Sequence, residues 1–341
     1  MLLALNKIFP KAPLFTSVWS KKNTPWTNVF DVKTSFLQKF GIFHKYNEAL
    51  ALLMPISFES FNFDEYDLVI SVTSESASGI ITKPGTKHIC YCLTPTRYLW
   101  SGYGDYFKNP LIRAGSKPAL SYLRRWDKIS SHRPDDYIAI SSEVMKRIKK
   151  YYGKESKIIY PPIMIEKSKL KKTHDEDFFL LVSRLSRFSY YKKVDLAIEA
   201  FNKTGQKLKI VGSGPMEKSF RKKANKNIEF LGELTDLALA YYYERCKALI
   251  FPGLEDFGLT MAEAQFFGKP VIAYKAGGAL DIIIEGITGE FFDKQNPDSL
   301  RDALKKFERK SYNERDIIRN SERFTFESFK QNLEKYISGR F

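Results

Sequence analysis

Residues 251–268 read Phe-Pro-Gly-Leu-Glu-Asp-Phe-Gly-Leu-Thr-Met-Ala-Glu-Ala-Gln-Phe-Phe-Gly and hold two carboxylates, Glu255 and Glu263, with seven residues between them. An apolar run over 248–251 leads in, Pro252 and Gly253 break it, and Gly258 frees the backbone where a helix is expected to begin. The N–H groups at a helix start attract anions, phosphate above all. Carboxylates accept hydrogen bonds from hydroxyl groups. A ligand that carries hydroxyls beside phosphates, such as a nucleotide sugar, has this make-up. Taken alone, a solvated loop acid and a helix-surface acid would give the same pair.

Cations of the right kind stand upstream. Arg184 follows the apolar run 178–183, and Lys192 and Lys193 precede a helical pattern that starts at Val194. Arginine offers a rigid fork to phosphate oxygens and lysine a mobile point charge. Spacing does not separate Lys192 from Lys193, and a plain surface charge remains open for any of the three. Gly212-Ser213-Gly214 follows the run 208–211 and leaves room for close backbone approach. By itself, such a triplet reads equally well as a turn.

The segment 251–268 resembles the Glu-x(seven)-Glu signature of retaining glycosyltransferases of the GT-B fold, family four-like, in a bacterial mannosyltransferase-like branch. Leu181-Val182-Ser183-Arg184-Leu185, the run 191–201, Ile210-Val211-Gly212-Ser213-Gly214-Pro215 and Lys269-Pro270-Val271-Ile272-Ala273 with Ala276-Gly277-Gly278-Ala279 are similar to further motifs of that family, in the same order. Cys92-Leu93-Thr94-Pro95-Thr96-Arg97-Tyr98-Leu99-Trp100 resembles a motif of the branch. The resemblance covers nearly the whole chain and is more specific in the second half.

The resemblance implies two Rossmann-like doubly wound α/β domains facing across a cleft. The expected divisions are an acceptor-side domain over 1–164, a nucleotide-sugar domain over 165–325, and a closing helix over 326–341 that packs back on the first domain. Arg184, Lys192 and Glu255 would carry the chemistry. Glu255 would hold donor-sugar hydroxyls and Glu263 the ribose hydroxyls. Gly212, Gly214 and the backbone of Phe257, Gly258 and Leu259 would face the donor, and Arg97 would serve acceptor binding or a structural salt bridge. Protein cations meet the diphosphate charge, so neither cofactor nor metal is expected. The implied reaction is retaining transfer of a hexose, with mannose from GDP-mannose as the best guess. The acceptor would be lipid-linked or a polysaccharide, in surface glycan synthesis. The alternative is a catalytically impaired partner subunit that binds a nucleotide sugar.

Two departures bear on that choice. The chain opens inside what would be the family's first helix, so the opening strand and its glycine-rich loop are missing and the first domain is expected to be incomplete. An internal start at Met1 is preferred over a divergent form. The Thr-Pro motif of the branch usually follows a histidine, and Leu93 stands there instead. The insertion Arg187-Phe188-Ser189-Tyr190 also lengthens the phosphate-side loop.

The 341 residues, 43% hydrophobic, suffice for two domains with real cores. Cys90, Cys92 and Cys246 are too few and too badly spaced for a disulfide framework or a zinc site, which fits a reducing cytosol. No signal peptide is read at 1–5, and no run spans a bilayer. The net charge is +16, and the chain up to Ile163 carries 23 Lys and Arg against 13 Asp and Glu. Such a surface attracts nucleic acid or anionic membrane. No nucleic-acid motif is seen, and the resemblance points to peripheral contact at the inner face of the cytoplasmic membrane. A lysine-rich solvated surface accounts for the charge equally well.

Short apolar runs alternate with helical patterns, as parallel sheets with crossover helices require. In the first half, strands are predicted at 67–72, 88–93, 136–141 and 157–160, with 14–18 as another and a helix over 143–152. In the second half they are predicted at 178–183, 208–212, 228–231, 248–251, 271–274 and 289–292. Helices are predicted at 194–203, 216–224, 237–245, 259–267 and 326–337. The polar run 166–177 is read as the linker.

Overall fold

The computed structural model describes residues 1–39, 51–167, 176–186 and 191–339. Contacts divide the chain into two units, Met1–Ile159 and Tyr160–Phe341. The division falls ahead of the expected 164/165 boundary, and the terminal helix counts with the second unit. The insertion 187–190 and most of the expected linker lie outside the described residues.

The first unit holds strands β1 (Leu14–Thr16), β2 (Val32–Thr34), β3 (Leu68–Thr73), β4 (Lys87–Cys92), β5 (Asp136–Ala139) and β6 (Lys157–Ile158). Its helices are α1 (Leu2–Ile8), α2 (Met54–Glu59), α3 (Tyr103–Tyr106), α4 (Pro110–Ser130) and α5 (Ser142–Tyr152). Strands β3 to β6 form one parallel sheet in sequence order. Strand β4 lies inside it and is buried from His88 to Cys92, so both thiols, two residues apart and on the same face of the strand, are enclosed.

The run 14–18 does not join that sheet. Among the described residues, strand β1 pairs with β2 alone, in parallel. A cavity of about 680 Å³ is lined by Leu14, Phe15 and Thr16 of β1 and by 68–72 of β3. Strand β3 reads Leu-Val-Ile-Ser-Val-Thr, the continuous apolar run of a strand flanked on both sides. It nevertheless forms an edge, and Leu68, Val69, Ile70 and Val72 remain half-buried.

The second unit holds β7 (Phe179–Val182), β8 (Leu208–Val211), β9 (Ile228–Gly232), β10 (Leu249–Phe251), β11 (Val271–Tyr274) and β12 (Gly289–Phe292). Its helices are α6 (Val194–Thr204), α7 (Glu217–Lys223), α8 (Asp236–Arg245), α9 (Leu259–Phe266), α10 (Ala279–Ile282), α11 (Pro297–Glu308), α12 (Glu314–Ser321) and α13 (Phe326–Ser338). All six strands are parallel, in the order β12-β11-β10-β7-β8-β9. The winding therefore reverses between β7 and β10. In open α/β sheets, ligands bind outside the carboxyl ends of the strands at such a reversal.

Helix α6 shows why these residues fold this way. Val194, Leu196, Ala197, Ile198, Ala200 and Phe201 are buried in the main core with Phe179, Leu181, Leu208 and Ile210. Gly205, in the left-handed region at φ 72°, ends the helix.

Candidate functional site

The loops after β7 and β10 meet at the reversal. The Leu254 N–H donates to the Tyr191 carbonyl at 3.2 Å and ties one loop to the other. Beside that bond, the Lys192 ammonium and the Glu255 carboxylate form an ion pair. Their side chains are 18% and 19% exposed, so the pair is enclosed but reachable. Lys193 adopts φ 52°, the left-handed region that costs a residue with a side chain of order 1–3 kcal/mol. It caps α6 and turns the chain immediately after Lys192. Of the two lysines that spacing left open, Lys192 is therefore the one set against the acid.

Arg184 lies exposed on the loop directly after β7. Its loop is braced by the turn after β8: the Leu185 N–H donates to the Ser213 carbonyl at 2.9 Å, and the Met216 N–H donates to the Leu185 carbonyl at 2.8 Å. Gly212 sits at φ 126°, and a Cβ there would collide with the Ser183 carbonyl. A Cβ at Gly214 would meet the Leu185 carbonyl in the same way. The room these glycines provide is thus taken by the arginine loop, which fixes its course. On the other side, the Gly278 N–H donates to the Glu255 carbonyl at 2.9 Å, and Gly278 packs against the Phe257 backbone.

Gly258, at φ 86°, opens α9, whose first N–H groups have no acceptor within the helix. Leu259 is its first residue, and the Phe257 ring is buried against Tyr160 and Phe324. Glu263 lies one turn further along. Its carboxylate accepts from the Tyr243 hydroxyl at 3.0 Å, and Tyr243 is itself fully buried on α8 with its ring stacked on Phe267. Burial pushes the Glu263 carboxyl up to about 7, with Asp236 adding to the rise and the tyrosine hydrogen bond opposing it. Sequence reasoning missed Tyr243. It stands 20 residues from its partner, inside the run Tyr241-Tyr242-Tyr243, with no spacing signal to single it out.

Arg97 belongs to the first unit. Its motif is wound into a turn held by the buried Asp127 of α4, which accepts from Thr96 Oγ1 at 3.2 Å and Trp100 Nε1 at 2.7 Å. Leu93 follows β4 directly. His88 is fully buried within β4, with Nε2 2.8 Å from Ser71 Oγ, and serves the core. An Asp-x-Asp triplet, the kind of element that holds a metal in other glycosyltransferases, stands at 175–177. Asp175 lies outside the described residues, and Asp177 pairs with Lys247 at 3.2 Å.

The structure thus gathers Lys192, Glu255, the Arg184 loop, the glycine turns and the start of α9 at the carboxyl ends of one sheet. A charged pair that can part to take phosphate on the cation and hydroxyls on the acid suits a sugar diphosphate. Residues 164–324 match the family of glycosyl transferases group 1. The chain is 26% identical to the alpha-1,3/1,6-mannosyltransferase ALG2 of Dictyostelium discoideum, over 83% of this chain and 77% of that one. It is 32% identical to a GDP-mannose-dependent alpha-mannosyltransferase of Corynebacterium glutamicum, over 33% and 27%. With other curated relatives the match spans about half of their length or less. Anabaena Alr3699/HepE, solved in complex with UDP-glucose, has a similar fold at a TM-score of 0.70 and 17% identity, covering 99% of this chain and 94% of that one. Residues 164–324 are thus a domain of the glycosyl transferases group 1 type, and the chain as a whole is similar in fold to a two-domain GT-B glycosyltransferase.

Proposed function

We propose that the protein is a retaining, metal-independent hexosyltransferase that takes mannose from GDP-mannose to a lipid-linked or polysaccharide acceptor in cell-surface glycan synthesis. The observation that carries this reading is the Lys192–Glu255 pair at the sheet reversal, with the Arg184 loop beside it. Arg184 and Lys192 would neutralise the leaving diphosphate. Glu255 would hold the sugar hydroxyls, and Glu263 the ribose. Preorganised donors of this kind contribute about 3–4 kcal/mol each to catalysis. The choice of mannose is supported by the two mannosyltransferase relatives. Placement on the cytoplasmic side, in contact with an anionic membrane, is supported by the positive balance of the first half.

Donor turnover and donor binding are to be measured together for the full chain. Glu255→Ala and Arg184→Ala should each lower transfer by about 10²–10³-fold while melting is unchanged. Full activity in both variants would remove these residues from the site. Tight donor binding by the wild type with no turnover, with or without acceptor, would assign a binding role instead, the outcome that Leu93 in place of a histidine favours.

A further inference from the structure

The loop that leads into α9 is anchored by one ring. Leu254, Glu255 and Asp256 are half-buried, and Phe257 follows at 4% exposure. Gly258 then turns at φ 86°, and no side chain caps the helix there. The first N–H groups of α9, which have no acceptor within the helix, therefore take their position from this loop. The bonds of the Leu254 N–H and of the Glu255 carbonyl hold the stretch as far as Glu255. Beyond it, the Phe257 side chain is the anchor, with Gly278 packed on its backbone.

Two rings bracket Phe257. Tyr160 lies stacked on it, with centroids 5.8 Å apart and planes 29° from parallel. Phe324 meets it edge-on at 5.5 Å, and Tyr160 and Phe324 touch at 5.1 Å. Phe324 is fully buried, and its carbonyl accepts from the Ile163 N–H at 2.8 Å. Tyr160 is half-buried and is held by polar groups as well. Its hydroxyl donates to the Asp281 carboxylate at 3.3 Å, and the Arg323 guanidinium stands 5.8 Å from its ring centre. Arg323 also donates to the Asp281 carbonyl. Asp281 lies on α10, just past the Gly277-Gly278 turn that bonds to Glu255. Pro161 and Pro162 follow the tyrosine and fix φ at the next two positions. Tyr160 is thus fixed at its hydroxyl, its ring and its backbone exit, with one ring face against Phe257.

We propose that Tyr160 is a positioning residue for the donor. Its ring holds Phe257 in place, and Phe257 sets the N–H groups of Phe257, Gly258 and Leu259 against the donor diphosphate. Stacked and edge-on aromatic pairs contribute beyond the area they bury. Hydrogen bonds weaken steeply with misalignment, so a shift of about 1 Å in such a cradle is enough to lose much of its hold on phosphate. Glycine at 258 offers no side chain to resist that shift. The role differs from that of Arg184 and Lys192, which would meet the phosphates with charge. The inference rests on the reading of this site as one for a nucleotide sugar, and it adds a residue that acts through Phe257 and not on the donor itself.

The test is calorimetry on the full chain with GDP and GMP, and with UDP and UMP, for wild type, Tyr160→Leu, Tyr160→Met and Tyr160→Phe, with melting read alongside. Wild type should bind one diphosphate more tightly than its monophosphate. Tyr160→Leu and Tyr160→Met remove the stacked ring and should each weaken diphosphate binding by about tenfold, while the monophosphate stays within about twofold. Tyr160→Phe keeps the ring and should bind the diphosphate within about twofold of wild type. A ring that served the fold alone would lower melting and leave the ratio of diphosphate to monophosphate affinity unchanged, and that result overturns the proposal. A loss in Tyr160→Phe equal to that in Tyr160→Leu also overturns it, by assigning the effect to the bond with Asp281. In both cases diphosphate binding by wild type upholds the site itself, whereas no binding by wild type overturns the site reading and the inference together.

Discussion

Glu263 is where a single proton matters most. Burial holds its carboxyl at about 7, against a hydrogen bond from Tyr243 that favours the charged form. If Glu263 accepts from ribose hydroxyls, donor affinity should rise with pH as the carboxyl ionises. Tyr243→Phe keeps the ring stacked on Phe267 and removes only the donor. The midpoint of that rise should then move upward by about one pH unit, the worth of one hydrogen bond to a charged group. Calorimetric titration of GDP between pH 6 and 9, in wild type and variant, reads this directly. An unshifted midpoint would separate Glu263 from the nucleotide. The two acids stood out by residue type and spacing, whereas spacing left Lys192 and Lys193 unseparated. Tyr243, which tunes one of the acids, was not legible, because the hydroxyl reaches Glu263 from a neighbouring helix and tertiary packing leaves no mark on local spacing.

At the scale of elements, legibility followed coverage. The six strands of the second unit are largely apolar runs, as a parallel sheet with helices on both faces requires, with Lys209, Glu229 and Glu290 the charged residues within them. Helix α4 escaped sequence reasoning. Pro118, a residue that reads as a helix breaker, stands inside it, and apolar side chains on its outer face blur the helical period that buried residues alone would show. Strand β2 is three residues long and alternates too briefly to register. Glycines separate the same way. At Gly212 the φ of 126° and the adjacent Ser183 carbonyl leave no place for a side chain, whereas nothing lies within 4 Å of a Cβ at Gly115 in α4. Gly212→Ala should therefore cost about 2–4 kcal/mol and displace the Arg184 loop. Gly115→Ala should stabilise by about 0.5–1 kcal/mol through helix propensity. Denaturant midpoints of the two variants decide it, and equal midpoints would mean that the Gly212 turn can shift without loss.

At the scale of the molecule, the two units carry buried groups that answer acid in opposite senses. His88 in the first unit is held at about 4, chiefly by burial, with Asp135 opposing the shift. Its folded pKa lies below the ordinary 6.5, so the stability it contributes is present above that value and is lost as pH falls toward 4. Glu263 in the second unit runs the other way. Its folded value of about 7 lies above the ordinary 4.5, so stability falls as pH rises from 4.5 to 7 and is regained on acidification. The buried Asp127 is also raised above 3.8 by burial, and its gain on acidification belongs to the lower end of the range. Between pH 7 and 5.5, then, the first unit should weaken while the second strengthens, each by about 1.4 kcal/mol for every pH unit over which its proton is differentially bound. Each unit has its own parallel sheet, so peptide-resolved hydrogen exchange can follow them separately. After correction for intrinsic exchange, protection in β4 and β5 should fall on going to pH 5.5 while protection in β7 and β10 rises. His88→Gln should flatten the first trend and Glu263→Gln the second, because each removes one proton from the balance and leaves the other in place. Parallel trends in both units, or trends that survive these substitutions, would mean that surface charge and not these two buried groups sets the response to pH.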